Sequence, residues 1–164
     1  MIFNNNFVQR SNRIFFEKGF QNTDIVGEWV HLASGATIGK TIHFEAVNGY
    51  VDGYYSQTNP RICTGKSIDV TNINEISIRI AELTKELPDA FVGIGICSEK
   101  TFNSASSPLK RKEARFSDAA NTVTNRLVSL DVSDVTGEYY FYIEFNISGS
   151  QNSASMDVEK IWIT

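Results

Sequence analysis

The sequence contains little of what enzymes usually rely on. Its 164 residues include two histidines, two cysteines, three prolines and two tryptophans. His31 and His43 have no His, Cys or carboxylate partner at zinc-site spacing, which argues against a metal centre. There is no GxSxG elbow and no phosphate-binding loop. The GxG at Gly93–Gly95 lies inside an apolar run with no helical pattern after it, unlike a dinucleotide loop. Acidic residues are scattered, and no pair stands out for glycoside hydrolysis. The expectation is a protein that is not an enzyme.

Other absences bound the setting. Charged residues make up 21% and the net charge is −4. The basic cluster KRK at 110–112 sits beside Glu113, too little for phosphate-backbone binding, so no nucleic-acid partner is expected. No apolar run approaches the length of a membrane helix, so no membrane insertion is expected. The N-terminal MIFNNNFVQR lacks a basic stretch followed by an apolar core, which predicts synthesis in the cytoplasm without a signal peptide. Cys63 and Cys97 lie in the apolar runs RICT (61–64) and FVGIGICS (91–98) and read as free buried thiols. A disulfide between them would need oxidising conditions and suitable strand geometry.

What the chain does have is strand pattern. Eleven Phe and six Tyr suit pleated surfaces. EISIRIAEL (75–83) alternates, with Ile76, Ile78 and Ile80 on one side. EYYFYIEFNI (138–147) places Tyr139, Phe141, Ile143, Phe145 and Ile147 opposite Tyr140, Tyr142, Glu144 and Asn146. TIHFEAV (41–47) is read as a strand, Asn48-Gly49 as a tight hairpin turn and YVDGYYS (50–56) as the return strand. The mixed parity of SMDVEKIWIT (155–164) predicts a bulge or a strand buried on both faces. Residues 99–125 read as a long irregular excursion, within which 110–116 forms a strand or a short helix. In all, about nine or ten strands and no secure helix predict an all-β sandwich of two antiparallel sheets. The length fits one domain, here residues 14–164 preceded by an arm, residues 1–13.

Three kinds of contact are open to such a chain. Sugar binding needs exposed aromatic faces beside polar side chains, and Tyr54, Tyr55, Tyr140, Tyr142 and Trp29 are the candidate platforms. Each is equally at home in a sandwich core. Asp69 and Asp157 are candidates for a structural calcium; otherwise no cofactor is expected. Ile2, Phe3 and Phe7 in the arm either close this domain or dock on a neighbour.

Several segments carry a resemblance. GEWV (27–30), IDVTNINEISIRI (68–80), SLDVSDVTGEYYFYIEF (129–145) and VEKIWIT (158–164) resemble a jelly-roll module of tailed-bacteriophage and prophage structural proteins. The matching positions are Gly27 and Trp29, Ile68 to Thr71, Leu130 to Ser133, Gly137, Tyr139, Tyr140 and Lys160 to Ile163. The resemblance implies a carbohydrate-binding-module-like jelly roll in a virion, as tail, fibre or head-decoration protein. It also implies other virion proteins as partners, an oligomeric or assembled state and a possible role in surface attachment. The alternative is a stand-alone carbohydrate-binding module.

Overall fold

The computed structural model describes residues 13–85, 89–100, 108–117, 121–148 and 152–164. Ile2, Phe3 and Phe7 lie outside the described residues. In chain order the strands are β1 (Ile14–Glu17), β2 (Phe20–Gln21), β3 (Val30–Ala33), β4 (Ala36–Ile38), β5 (Ile42–Val51), β6 (Tyr54–Thr58) and β7 (Arg61–Cys63). They continue as β8 (Ile68–Asp69), β9 (Glu75–Lys85), β10 (Ala90–Cys97), β11 (Lys110–Phe116), β12 (Thr122–Asp131), β13 (Glu138–Ile147) and β14 (Asn152–Ile163). One helical turn, α1 (Thr23–Val26), ends at Gly27, whose φ of 66° suits glycine. The extra strands beyond the expected number are two- and three-residue pieces such as β2, β4, β7 and β8, too short for alternation to register.

The strands form a jelly-roll β-sandwich. One sheet runs β12-β9-β14-β1-β2, with β5, β4 and β6 branching from β14; the other runs β11-β10-β13-β7-β3, with β8 beside β13. All pairings are antiparallel. Between the sheets lie Phe15, Phe16, Ile42, Phe44, Ile76, Ile78, Ile80, Phe141, Ile143 and Phe145, all fully buried. Each such side chain stabilises the fold by about 1.5–3 kcal/mol relative to exposure.

β14 is the spine of the larger sheet. Its first half pairs with β5, its second half with β1, and β9 follows it on the other side. The expected bulge is present: the register against β9 shifts on both sides of Val158. The shift lets Met156, Val158 and Ile161 all face the core and leaves Trp162 partly exposed.

Two expectations are corrected. Asn48-Gly49 is not the turn. Both residues are strand, paired with Gln57 and Ser56, and the turn is Asp52-Gly53. Asp52 has φ 52° and Gly53 φ 84°, the double positive φ that a two-residue hairpin demands. The 99–125 stretch is not one irregular excursion, since it holds β11 and the start of β12. β11 is an edge strand with Phe116 buried and charges elsewhere, a composition that discourages edge-to-edge pairing. Two residues of the KRK cluster are tied down there: Lys110 pairs with Asp134, and Arg111 with Glu113 and Glu144.

Candidate functional site

The β5–β6 hairpin extends the larger sheet as a two-stranded tip. Gly49, Tyr50 and Val51 have β6 as their strand partner. The tip is short because its turn closes in two residues, and its surface is aromatic because Tyr50, Tyr54 and Tyr55 crowd that turn. They are 69%, 80% and 58% exposed. The other exposed large apolar side chains among the described residues, Phe20, Leu109 and Leu127, lie outside this hairpin.

Register decides which faces the rings occupy. Tyr50 lies opposite Tyr55, so the two share a face; Tyr54 lies opposite Val51 and takes the other face. The Tyr50 and Tyr55 ring centroids are 5.7 Å apart with planes at 74°, an edge-to-face pair. The Tyr55 hydroxyl donates to Asn48 Oδ1 at 2.6 Å. The result is a corner of two rings, one pinned by a hydrogen bond, with Gln57 paired beside Asn48. Flat apolar rings next to amide and hydroxyl groups can stack on the C–H face of a sugar and hydrogen-bond its edge.

The remaining expected platforms are less open than the hairpin tyrosines. Tyr142 is 1% exposed, packed with Cys63 and Cys97 and flanked by Val30 and Leu32. Tyr140 is half-buried, with Lys100 Nζ 5.4 Å from its ring centroid. Trp29 is 6% exposed and belongs to the main core. Sequence alternation placed Tyr140 and Tyr142 on the correct side of β13. It did not show that the glycines of β10 let this side close over.

The same face holds an ion network that sequence reading missed. Glu144, 2% exposed, accepts from Arg61 Nη2 at 2.9 Å and Nε at 3.2 Å, and from Arg111. The signal was weak, a lone glutamate in an aromatic strand. Arg115 Nε reaches Asp89 at 2.9 Å, with its guanidinium 5.5 Å from the Phe91 ring centroid. On this face both the Glu144 and the Asp89 carboxylates are held by arginines.

Burial raises the Cys63 thiol pKa to about 11 and also pushes up Cys97 and the Tyr142 hydroxyl. Cys63 and Cys97 lie on the two strands flanking β13, two inter-strand spacings of about 4.8 Å apart. That exceeds disulfide reach, and both are free.

Asp69 and Asp157 are not brought together. Asp69 lies beside β13 and accepts from Thr71 N–H at 2.9 Å; Asp157 lies in the other sheet and holds Thr41 Oγ1 at 2.8 Å and His43 Nδ1 at 3.1 Å. No group of three potential metal ligands occurs among the described residues.

No protein-family model matches the sequence, and no curated protein does. The fold is similar to a cleaved adhesin domain of Lys-gingipain from Porphyromonas gingivalis. The TM-score is 0.55 and the identity 12%, over 91% of this chain and 94% of that one. It is also similar to a family 28 carbohydrate-binding module specific for non-crystalline cellulose. There the TM-score is 0.50 and the identity 13%, over 80% of this chain and 78% of that one. At such identities the likeness is one of fold, and it agrees with the jelly roll described above.

Neither of these is a bacteriophage protein. The motifs behind the phage resemblance serve this fold directly. Trp29 and Ile68 are core. Asp69 and Asp131 each close a local turn, onto Thr71 N–H and Ser133 N–H, both at 2.9 Å. Gly137 supplies φ 104° and donates its N–H to Thr71 Oγ1 at 3.0 Å.

Proposed function

We propose that this chain is a non-catalytic carbohydrate-binding module that holds a glycan on the tyrosines of the β5–β6 hairpin. The observation that carries the reading is the gathering of Tyr50, Tyr54 and Tyr55, each more than half exposed, on one two-stranded tip. The fold likeness to a carbohydrate-binding module and to an adhesin domain supports it. The phage-particle role rests on motifs that packing and turn geometry already account for, so it ranks second. Display on a particle would use the same glycan-binding tip.

The mechanism is adsorption. A pyranose ring lays its C–H face on one tyrosine of the Tyr50–Tyr55 corner and meets the edge of the other. Asn48 holds Tyr55 in place before the ligand arrives, which lowers the ordering cost of binding. Gln57 and Asp52 stand at the same tip to hydrogen-bond ring hydroxyls.

A glycan array probed with the full chain tests the proposal. Saturable binding to a defined saccharide, lost in Tyr50→Ala/Tyr54→Ala/Tyr55→Ala, is the expected result. Absence of any saccharide signal from the folded wild-type chain overturns it.

A further inference from the structure

We infer that the hairpin is a two-sided binder: its opposite faces hold two separate segments of an uncharged polysaccharide at once. This rests on the glycan-binding reading and adds the ligand's charge class and the mode of engagement.

The face assignment comes first. Ile42, Phe44 and Ala46 point into the core from β5, and Asn48 and Tyr50 continue that parity beyond it. The Tyr50–Tyr55 corner therefore lies on the side of the tip that continues the core face. Tyr54 projects from the opposite side, which continues the solvent face of the larger sheet, and it is the most exposed of the large apolar side chains among the described residues. A ring on each side of a single sheet layer is poorly suited to one ligand segment. The two faces of such a layer, side chains included, stand about 10 Å apart, so one sugar ring cannot contact both.

The charge class follows from composition. From Ala46 to Pro60 the sequence reads AVNGYVDGYYSQTNP, in which Asp52 is the sole charged residue. No Lys or Arg in that segment can neutralise a uronate or a sulfate, and Asp52 at the turn repels one. Tyrosine faces with Asn48, Ser56 and Gln57 beside them suit neutral hydroxylated rings.

Two platforms on one rigid tip act as linked sites on a polymer, where the second contact is intramolecular. A short oligosaccharide gains nothing from the linkage. The affinity for polymer therefore exceeds that for a hexasaccharide of the same sugar, and removing one face removes the excess.

The experiment uses the full chain with cellohexaose, xylohexaose and a galactan hexasaccharide, their parent polymers, and oligogalacturonate as the acidic arm. Calorimetry gives stoichiometry on the hexasaccharides, and depletion gives affinity for the polymers. Tyr54→Ala is expected to weaken polymer binding about ten-fold or more. It should leave hexasaccharide affinity at the Tyr50–Tyr55 corner within about two-fold and lower the number of bound hexasaccharides per chain. Tyr54→Phe, which keeps the ring, restores polymer binding. The inference is overturned if the wild-type chain binds but Tyr54→Ala changes neither polymer affinity nor stoichiometry, or if oligogalacturonate binds more tightly than every neutral hexasaccharide. A wild-type chain that binds no saccharide overturns the glycan reading itself, a distinct outcome.

Discussion

Tyr142 lies over Gly95: a Cβ at that glycine would stand 2.5 Å from the tyrosine hydroxyl and from Cε1 of its ring. Glu144 stands in the same relation to Gly93, where a Cβ would meet Oε1 at 2.6 Å. The two glycines of β10 are the floor on which the outer face of the smaller sheet closes. That closure removes Tyr142 from the set of available platforms, and the most exposed tyrosines among the described residues are those of the hairpin.

Gly95→Ala overpacks this floor. A loss of about 1–3 kcal/mol is expected, lowering the melting temperature by about 2–4 °C per kcal/mol for a chain of this size. Calorimetric melting of the variant checks it. An unchanged melting temperature would mean that Tyr142 moves aside without cost.

Glu144→Ala leaves Arg61 and Arg111 facing each other across a site that had held a carboxylate. Breaking a fully buried pair costs about 3–5 kcal/mol. Here the arginine side chains are 20% and 36% exposed, so a loss of about 2–3 kcal/mol is expected, less than the fully buried figure. Urea unfolding measures it, and glycan binding at the hairpin should be unaffected.

The thiols give a pH signature. Cys63 keeps its proton in the fold up to a pKa of about 11, whereas the unfolded thiol releases it near 9.0. A raised folded pKa means that this stabilisation is fully present below pH 9 and is lost as pH rises through about 11. Cys97 and Tyr142 shift upward as well and add to the alkaline loss. Urea midpoints should fall steadily between pH 9 and pH 11, and thiol reagents at pH 8 should react slowly until the chain unfolds.

Gly53→Ala tests whether the tip is separable from the core. Nothing lies within 4 Å of an added Cβ, but φ is +84°, so the penalty of about 1 kcal/mol is local backbone strain. A weakened glycan affinity with a melting temperature near wild type is expected. A large drop in melting temperature would show that the hairpin supports the sandwich.

The sequence made the sandwich legible where burial is one-sided. Ile76, Ile78 and Ile80 alternate and are fully buried, and the parity break in the last strand became a bulge at Val158. It misled where two local signals competed. Asn48-Gly49 and Asp52-Gly53 are both good turn dipeptides, and the strand pairing of Asn48 with Asn152 and Gln57 decides for the second. Long-range packing was less visible. Tyr140 and Tyr142 share a parity with solvent-facing residues. Tyr142 closes over Gly95 and Glu144 over Gly93, glycines two positions apart in a neighbouring strand far along the chain. Tyr54 and Tyr55, by contrast, are exposed, because among the described residues no second layer covers the hairpin tip.

The most direct test of the central claim is a calorimetric titration of the best array saccharide into the wild-type chain, the hairpin variant Tyr50→Ala/Tyr54→Ala/Tyr55→Ala and Tyr140→Ala. The hairpin variant should lose about 30-fold or more in affinity, about 2 kcal/mol, with its melting temperature unchanged, while Tyr140→Ala binds like wild type. Full affinity in the hairpin variant, with loss in Tyr140→Ala, would place the glycan on the smaller sheet and contradict the assignment of the site to the β5–β6 tip.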